Sequence, residues 1–310
     1  MTTSTVDAPA PAGNAPALFQ WSVFPLVLGL ALYAAWRLMD GGMQPALAVL
    51  WCQGAAALAI IIAERIYPYH TLWLRSHGDV RVDATHTVGI GIITALASPL
   101  AVAGGALVAG WLSNAFGSSL WPVQWVLPAQ IFLALLIGEF PGYWVHRWQH
   151  AWDGLWRFHA VHHSAPRLYW LNAGRFHPVD ILSTYVPTYL LLVALGCSTE
   201  VLAYFGMITA IHGLFQHSNM QLRLGPLNWI FSMAELHRWH HSKTLREANT
   251  NFGQTISVWD WVFGTRYLPK DLEPPREIGI ADLPDFPVGW WAHIAAPFRW
   301  RRVKGESAGS

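Results

Sequence analysis

Residues 139–150 read Glu-Phe-Pro-Gly-Tyr-Trp-Val-His-Arg-Trp-Gln-His. They close an uninterrupted stretch, 84–138, that contains no Asp, Glu, Lys or Arg. A helix crosses the hydrocarbon of a bilayer with roughly 20 apolar residues, so that stretch holds two crossings with a loop between them. At its end an acid and two histidines appear. His146 and His150 are four apart, which places them on one face of a helix as it leaves the membrane.

The same pattern recurs downstream. Phe158–Ser164 reads F-H-A-V-H-H-S and supplies His159, His162 and His163, while H-R-W-H-H-S supplies His237, His240 and His241. Of the 15 histidines, 11 lie between His146 and His241. In H-x-x-H-H all three residues share a face, and their angular spread lets them address two ions. Imidazole suits Fe, Zn, Cu and Ni. Eight or more histidines exceed what one ion accepts, so two ions are implied. Ligating imidazoles must be neutral, so affinity should fall as pH drops through about 6.5.

The rest of the chain supports a membrane protein. It is 53% hydrophobic and 12% charged, against about 25% charged for a soluble domain. Residues 8–36, 41–63, 181–199 and 201–222 are also free of charged side chains. We expect an all-α integral membrane fold with about four transmembrane helices at 18–39, 45–66, 87–111 and 126–145. Two apolar helices, 181–197 and 201–217, should form a short hairpin, and a helical cap should carry the histidines. Among 19 tryptophans, Trp21, Trp73, Trp111, Trp121 and Trp144 stand beside span ends, as in interfacial aromatic belts.

Orientation follows from the cations. Residues 64–83 carry Arg65, Arg75 and Arg81, and residues 139–180 carry Arg147, Arg157, Arg167 and Arg175, whereas 112–125 carry none. The positive-inside rule puts both basic segments and the histidines on the cytoplasmic side, with Arg299, Arg301 and Arg302 in agreement. The expected organisation is a disordered tail at 1–17 without the basic start of a signal peptide, membrane helices at 18–124, a catalytic domain at 125–270, and a polar, basic tail at 271–310. A net charge of +1 gives no case for binding nucleic acid. Cys52 and Cys197 are too few and too far apart for a disulfide framework.

Several other residues are candidates. His217 closes the sixth apolar helix and completes the ligand set. His212 lies five residues before it, a poorer same-face spacing. His177, before Pro178, is a ligand, a support behind the ligands or a turn residue, and support is favoured. Metal-bound histidines usually give their second N–H to a carboxylate or carbonyl. Glu139 is two helical turns before His146, and an acid in an apolar helix is a functional candidate by default; Asp180 and Glu235 are weaker ones. His70, His77, His86 and His293 read as interfacial or structural. Trp144, Trp148, Tyr169 and Trp170 are candidate walls for a lipid.

The order H-x-x-x-H, H-x-x-H-H, lone His, H-x-x-H-H resembles the fatty acid hydroxylase/sterol desaturase superfamily. The segment E-F-P-G-Y-W-V-H-R-W-Q-H, the segment R-F-H-P-V-D, and N-T-N-F-G followed by W-D-W-V-F-G-T are similar to it as well, so the resemblance covers roughly 125–267. It implies a di-iron, O₂-dependent enzyme that hydroxylates or desaturates a lipid. It implies the metal ligands His146, His150, His159, His162, His163, His217, His237, His240 and His241, with His212 as a further position. Glu139 stands where many members have Asp. No His-Pro-Gly-Gly haem motif occurs, so electrons are expected from a separate carrier such as a ferredoxin, a cytochrome b5-like protein or a reductase. Zinc is a possible substitute for iron in purified protein.

Two other function classes compete. A metal transporter would place its ligands within spans near the bilayer midplane, whereas these lie at helix ends beside arginines. A zinc-dependent membrane hydrolase typically needs three protein ligands and an open position, fewer than this chain offers.

Overall fold

The computed structural model describes residues 13–307, and among them every regular element is helical. The α-helices are α1 (Ala17–Asp40), α2 (Pro45–Ile66), α3 (Val80–Phe116), α4 (Leu127–Ala151), α5 (Asp153–His163), α6 (Pro178–Ala194), α7 (Thr199–His217), α8 (Ala234–His240), α9 (Leu245–Ala248), α10 (Val258–Val262), α11 (Trp290–Ala295) and α12 (Trp300–Ser307). Of the tail expected at 1–17, residues 1–12 lie outside the described residues. The part next to α1 is held by Gln221, whose side chain accepts from the Ala15 N–H at 2.9 Å and donates to the Gly13 carbonyl.

Helices α1, α2 and α3 are long and apolar enough to cross a membrane. Their outer faces expose Leu30, Leu58, Leu96, Leu100 and Leu107, the last at 79%. An apolar surface of that extent is stable only against lipid or a partner. At 1.5 Å per residue the 37 residues of α3 span about 55 Å, well beyond the ~30 Å hydrocarbon layer. The helix encloses the expected span 87–111 and runs seven residues ahead of it, and its first turns carry the buried Asp83 and His86.

Helix α4, the expected fourth span, has the length of one but falls outside the set of strongly apolar helices. Gln130, Glu139, His146 and Gln149 lie on its buried face, so its polarity is turned inward. The expected hairpin forms as α6 and α7, joined by four residues with Gly196 at φ 94°, a left-handed helix end that favours glycine. The two helices diverge. Helix α6 packs chiefly on α3 and α4, and α7 on α2, the turn at 170–174 and α4. At Gly105 an added Cβ would stand 2.7 Å from Cβ of Val193, so the glycine is what lets α3 and α6 approach.

The cap is tied to this bundle by buried ion pairs. Arg167 grips Asp79 with two N–H donors at 2.7 and 3.0 Å, and Arg175 donates to Asp83 at 2.5 Å. The loop 251–256 is strapped from two sides. Glu139 accepts the N–H groups of Thr255 and Ile256, each at 2.9 Å, and Asp260 accepts those of Phe252 and Gly253. Asn251 adopts φ 54° while its side chain bridges Leu236 and Tyr267, a left-handed conformation that Asn tolerates better than most residues.

Candidate metal centre

The C-terminal turns of α4 and α7 meet α5 and α8 at one end of the bundle, and the histidines converge there. Successive residues of a helix turn by about 100°. Positions i and i+4 are then about 40° apart, while i+3 falls about 60° to the other side of i. Both H-x-x-H-H motifs split on this rule. His159 and His163 of α5 join His146, His150 and His240 in one group, and His237 and His241 join His162 and His217 in a second. Within each group the ligand atoms lie within 4.8 Å of one another. Two nitrogens bound to one ion at ~2.1 Å are separated by at most ~4.2 Å, so only a small contraction brings either group to bonding distance. Eight of the nine histidines are buried and His150 is partly so.

The hydrogen bonds fix which ring nitrogen faces inward. The Nδ1–H groups donate outward: His146 to the Phe252 carbonyl at 2.8 Å, His240 to the Thr250 carbonyl at 2.8 Å, His162 to the Arg175 carbonyl at 3.2 Å, His217 to Asn172 Oδ1 at 2.9 Å, and His159 to the Asp180 carboxylate at 3.0 Å. A carbonyl oxygen only accepts, so Nδ1 carries the proton and Nε2 of the neutral ring is a lone pair. The Nε2 atoms nevertheless face each other at 3.1 Å in His146–His159 and His163–His240, 3.2 Å in His162–His241 and 2.9 Å in His217–His237. In the His146–His159 pair neither nitrogen has a proton to offer the other. Lone pairs meeting in a buried space repel, and a cation between them turns repulsion into ligation. The donor set therefore fits metal ions.

Burial, followed by mutual repulsion, holds the pKa of His159, His163, His237 and His241 well below the ordinary histidine value, and burial does the same for His162 and His240. These rings are neutral near pH 7, the state that metal binding requires.

Comparison with known proteins gives the family. Residues 131–265 match the family described as fatty acid hydroxylase. The ornithine lipid hydroxylase OlsE of Rhizobium tropici is 39% identical over 287 residues, which cover 89% of this chain and 83% of that protein. The chain belongs to the fatty acid hydroxylase family. Human alkylglycerol monooxygenase is 27% identical over 146 residues, 47% of this chain and 32% of that protein. Methylsterol monooxygenase 1-1 of Arabidopsis thaliana is 26% identical over 156 residues, 48% and 52% respectively. These relatives are oxidoreductases by name. No solved structure matches the chain.

The other residues singled out by sequence are placed as follows. His212 lies apart from both groups, buried among Phe24 and Phe231 with neither ring nitrogen hydrogen-bonded. His177 caps α6, its Nδ1 accepting from Val179 N–H and its Nε2 meeting the Ile294 carbonyl. Glu139 contacts the backbone of the 255–256 strap rather than a histidine, and Glu235 accepts from Leu224 N–H and Asn228. Asp180 is the acid that touches the centre, and Gln149 donates to its other oxygen at 2.8 Å. Tyr169 is an anchor, its hydroxyl donating to Asp83 at 2.7 Å.

Sequence reasoning passed over Asn172 and the carbonyls of Arg175, Thr250 and Phe252. The last two lie in the N-T-N-F-G segment, one of the motifs that carry the family resemblance. Its role is visible only in three dimensions, because a carbonyl acceptor has no residue signature.

Proposed function

We propose that this chain is a membrane-bound, non-haem di-iron oxidoreductase that uses O₂ to hydroxylate an unactivated carbon of a membrane lipid, desaturation being the other outcome of the same hydrogen abstraction. The observation that carries the reading is the pair of buried histidine groups with converging Nε2 atoms. The five-nitrogen group is His146, His150, His159, His163 and His240; the four-nitrogen group is His162, His217, His237 and His241. Iron held there would supply the activation of O₂. The division into two groups sharing α5 and α8 favours two ions over the single three-ligand site of a hydrolase.

The protein's own part is position and dryness. Asp180 and Gln149 fix the His159 ring; Asn172 fixes His217. Phe176 stacks on His162 with centroids 4.3 Å apart, and Phe252 packs its ring against His146, His150 and His240, which keeps water from the imidazoles. Hydroxylation consumes O₂, two electrons and two protons per alcohol and water formed, so a separate electron carrier must dock. With the arginine-rich segments facing the cytoplasm, that carrier would approach the cap. In this reading residues 125–270 are the catalytic unit, 18–124 the membrane support and 271–310 its basic tail.

The name of the relative that aligns over 89% of this chain makes an ornithine lipid the first substrate to try. The test compares lipid extracts of a host that makes ornithine lipids, with and without this chain, by mass spectrometry. A gain of one oxygen atom supports hydroxylation and a loss of two hydrogens supports desaturation. Unchanged lipids together with a protein that, purified without oxygen and offered ferrous iron, still holds none would sink the proposal.

A further inference from the structure

The C-terminal segment carries a basic and aromatic surface that the histidine centre does not use. Arg157 of α5 lines an open groove of about 610 Å³ together with Phe298, Arg299, Trp300, Arg301 and Arg302. Residues 288–305 contain these three arginines and Lys304 but no Asp or Glu, Glu306 following in α12, and Arg299 and Arg301 are exposed. Trp300 is buried and donates its indole N–H to Asp153 at 3.1 Å, and Lys304 pairs with the same carboxylate. The groove is thus fastened to the first turn of α5.

Beside it three large apolar side chains face outward: Val288 is 83% exposed, Trp291 77% and Phe298 73%. They are not isolated. Helix α11 lies on the first turns of α3, where the rings of His86 and His293 meet at 3.0 Å. The outward row Val88, Ile92 and Leu96 of α3 continues from that point into the membrane face. Phe298 reaches Phe158 and His177, with centroids 5.9 and 6.1 Å apart, next to the start of α6. An apolar strip continuous with a lipid-facing helix and edged by arginines is the pattern of a segment lying in the headgroup layer.

We infer that residues 288–302 form an interfacial collar, with Trp291 and Phe298 at the acyl boundary, and that the arginine groove holds the phosphate of an anionic phospholipid. Guanidinium groups present planar, paired donors that match phosphate oxygens, and a basic cluster next to a membrane face is drawn to anionic lipid. The inference stands on the surface alone and does not depend on which metal the histidines hold.

The test uses the full-length protein in nanodiscs of equal phosphatidylglycerol and phosphatidylcholine, with native mass spectrometry of the lipids retained after extraction. The wild type should retain phosphatidylglycerol preferentially, and the combined R299Q/R301Q variant should lose about ten-fold or more of that preference. A second measurement leaves the arginines intact. Cys52 and Cys197 are buried, so a fluorophore on V288C reports that site, and lipids spin-labelled near the headgroup should quench it more than aqueous iodide does. No headgroup preference in the wild type, displacement of the retained lipid by millimolar inorganic phosphate, or quenching by iodide alone would overturn the inference.

Discussion

His162 and His163 are adjacent in sequence and belong to different nitrogen groups: Nε2 of His162 faces His241 at 3.2 Å, and Nε2 of His163 faces His240 at 3.1 Å. The same alternation at His240 and His241 makes α5 and α8 mirror one another across the centre. Helix α5 contributes two nitrogens to one group and one to the other, and α8 with His241, the residue that caps it, does the reverse. The two groups are thereby mechanically coupled, because no movement of either helix can open one without disturbing the other.

The unequal sizes of the groups give a graded expectation. His162→Ala leaves three nitrogens in its group, whereas His163→Ala leaves four in the other. Metal analysis after dialysis should show the His162 variant falling from roughly two ions per chain toward one, and the His163 variant retaining more. Equal, full metal in both would remove these residues from the ligand set.

Asp180 should matter more than its place in the sequence suggests. Its carboxylate accepts from His159 Nδ1 at 3.0 Å and from Gln149 at 2.8 Å. Supports of this kind are worth about 10–100-fold in metal affinity or activity. We expect Asp180→Ala to show that loss and Asp180→Asn, which keeps an acceptor, to show less. Competition with a metal-sensing dye measures both.

Glu139→Gln should act on stability rather than on metal. The carboxylate accepts the Thr255 N–H through both oxygens and the Ile256 N–H through Oε2, so an amide sets an NH2 donor in place of one acceptor, facing the Thr255 N–H. Leaving a buried donor poorly matched costs about 1–3 kcal/mol. A lowered melting temperature with metal content unchanged is the expected result. Loss of metal at an unchanged melting temperature would return Glu139 to the centre.

The helical class, the apolar helices and eight of the nine converging histidines are legible in the sequence because each rests on local spacing: charge-free runs, or residues three and four apart; His217, a lone histidine, is legible only from its place at a helix end and from the family resemblance. What was not legible depends on tertiary neighbours. Glu139 is two turns from His146 on α4, yet the loop 255–256 intervenes and takes its hydrogen bonds. Asp180 reaches His159 only because α6 lies against α4 and α5. His212 shares a helix with His217, but five residues turn it away toward Phe24 of α1. Helix α3 extends beyond the apolar span at 87–111 on both sides, and its first turns are held by the Arg175–Asp83 pair, a contact that local spacing does not reveal.

Acid should destabilise the metal-free protein from a defined point. Burial holds His159, His162, His163, His237, His240 and His241 well below the ordinary histidine pKa, which in the unfolded chain is about 6.5. Above that value the rings are neutral in both states and stability is fully present. Below it the unfolded chain takes up protons that the folded chain refuses, so the unfolded state binds more protons and stability falls as pH falls. Six such groups make the decline steep. Melting curves of metal-free protein should be flat from about pH 8 to 7 and then drop between about pH 6.5 and 5. Bound metal opposes this drop down to the pH at which protons compete for the ligands, so metal-loaded protein should hold its melting temperature further into acid. A metal-free melting temperature that stays level or rises from pH 7 to 5 would mean that the rings are solvated and the buried centre is wrong.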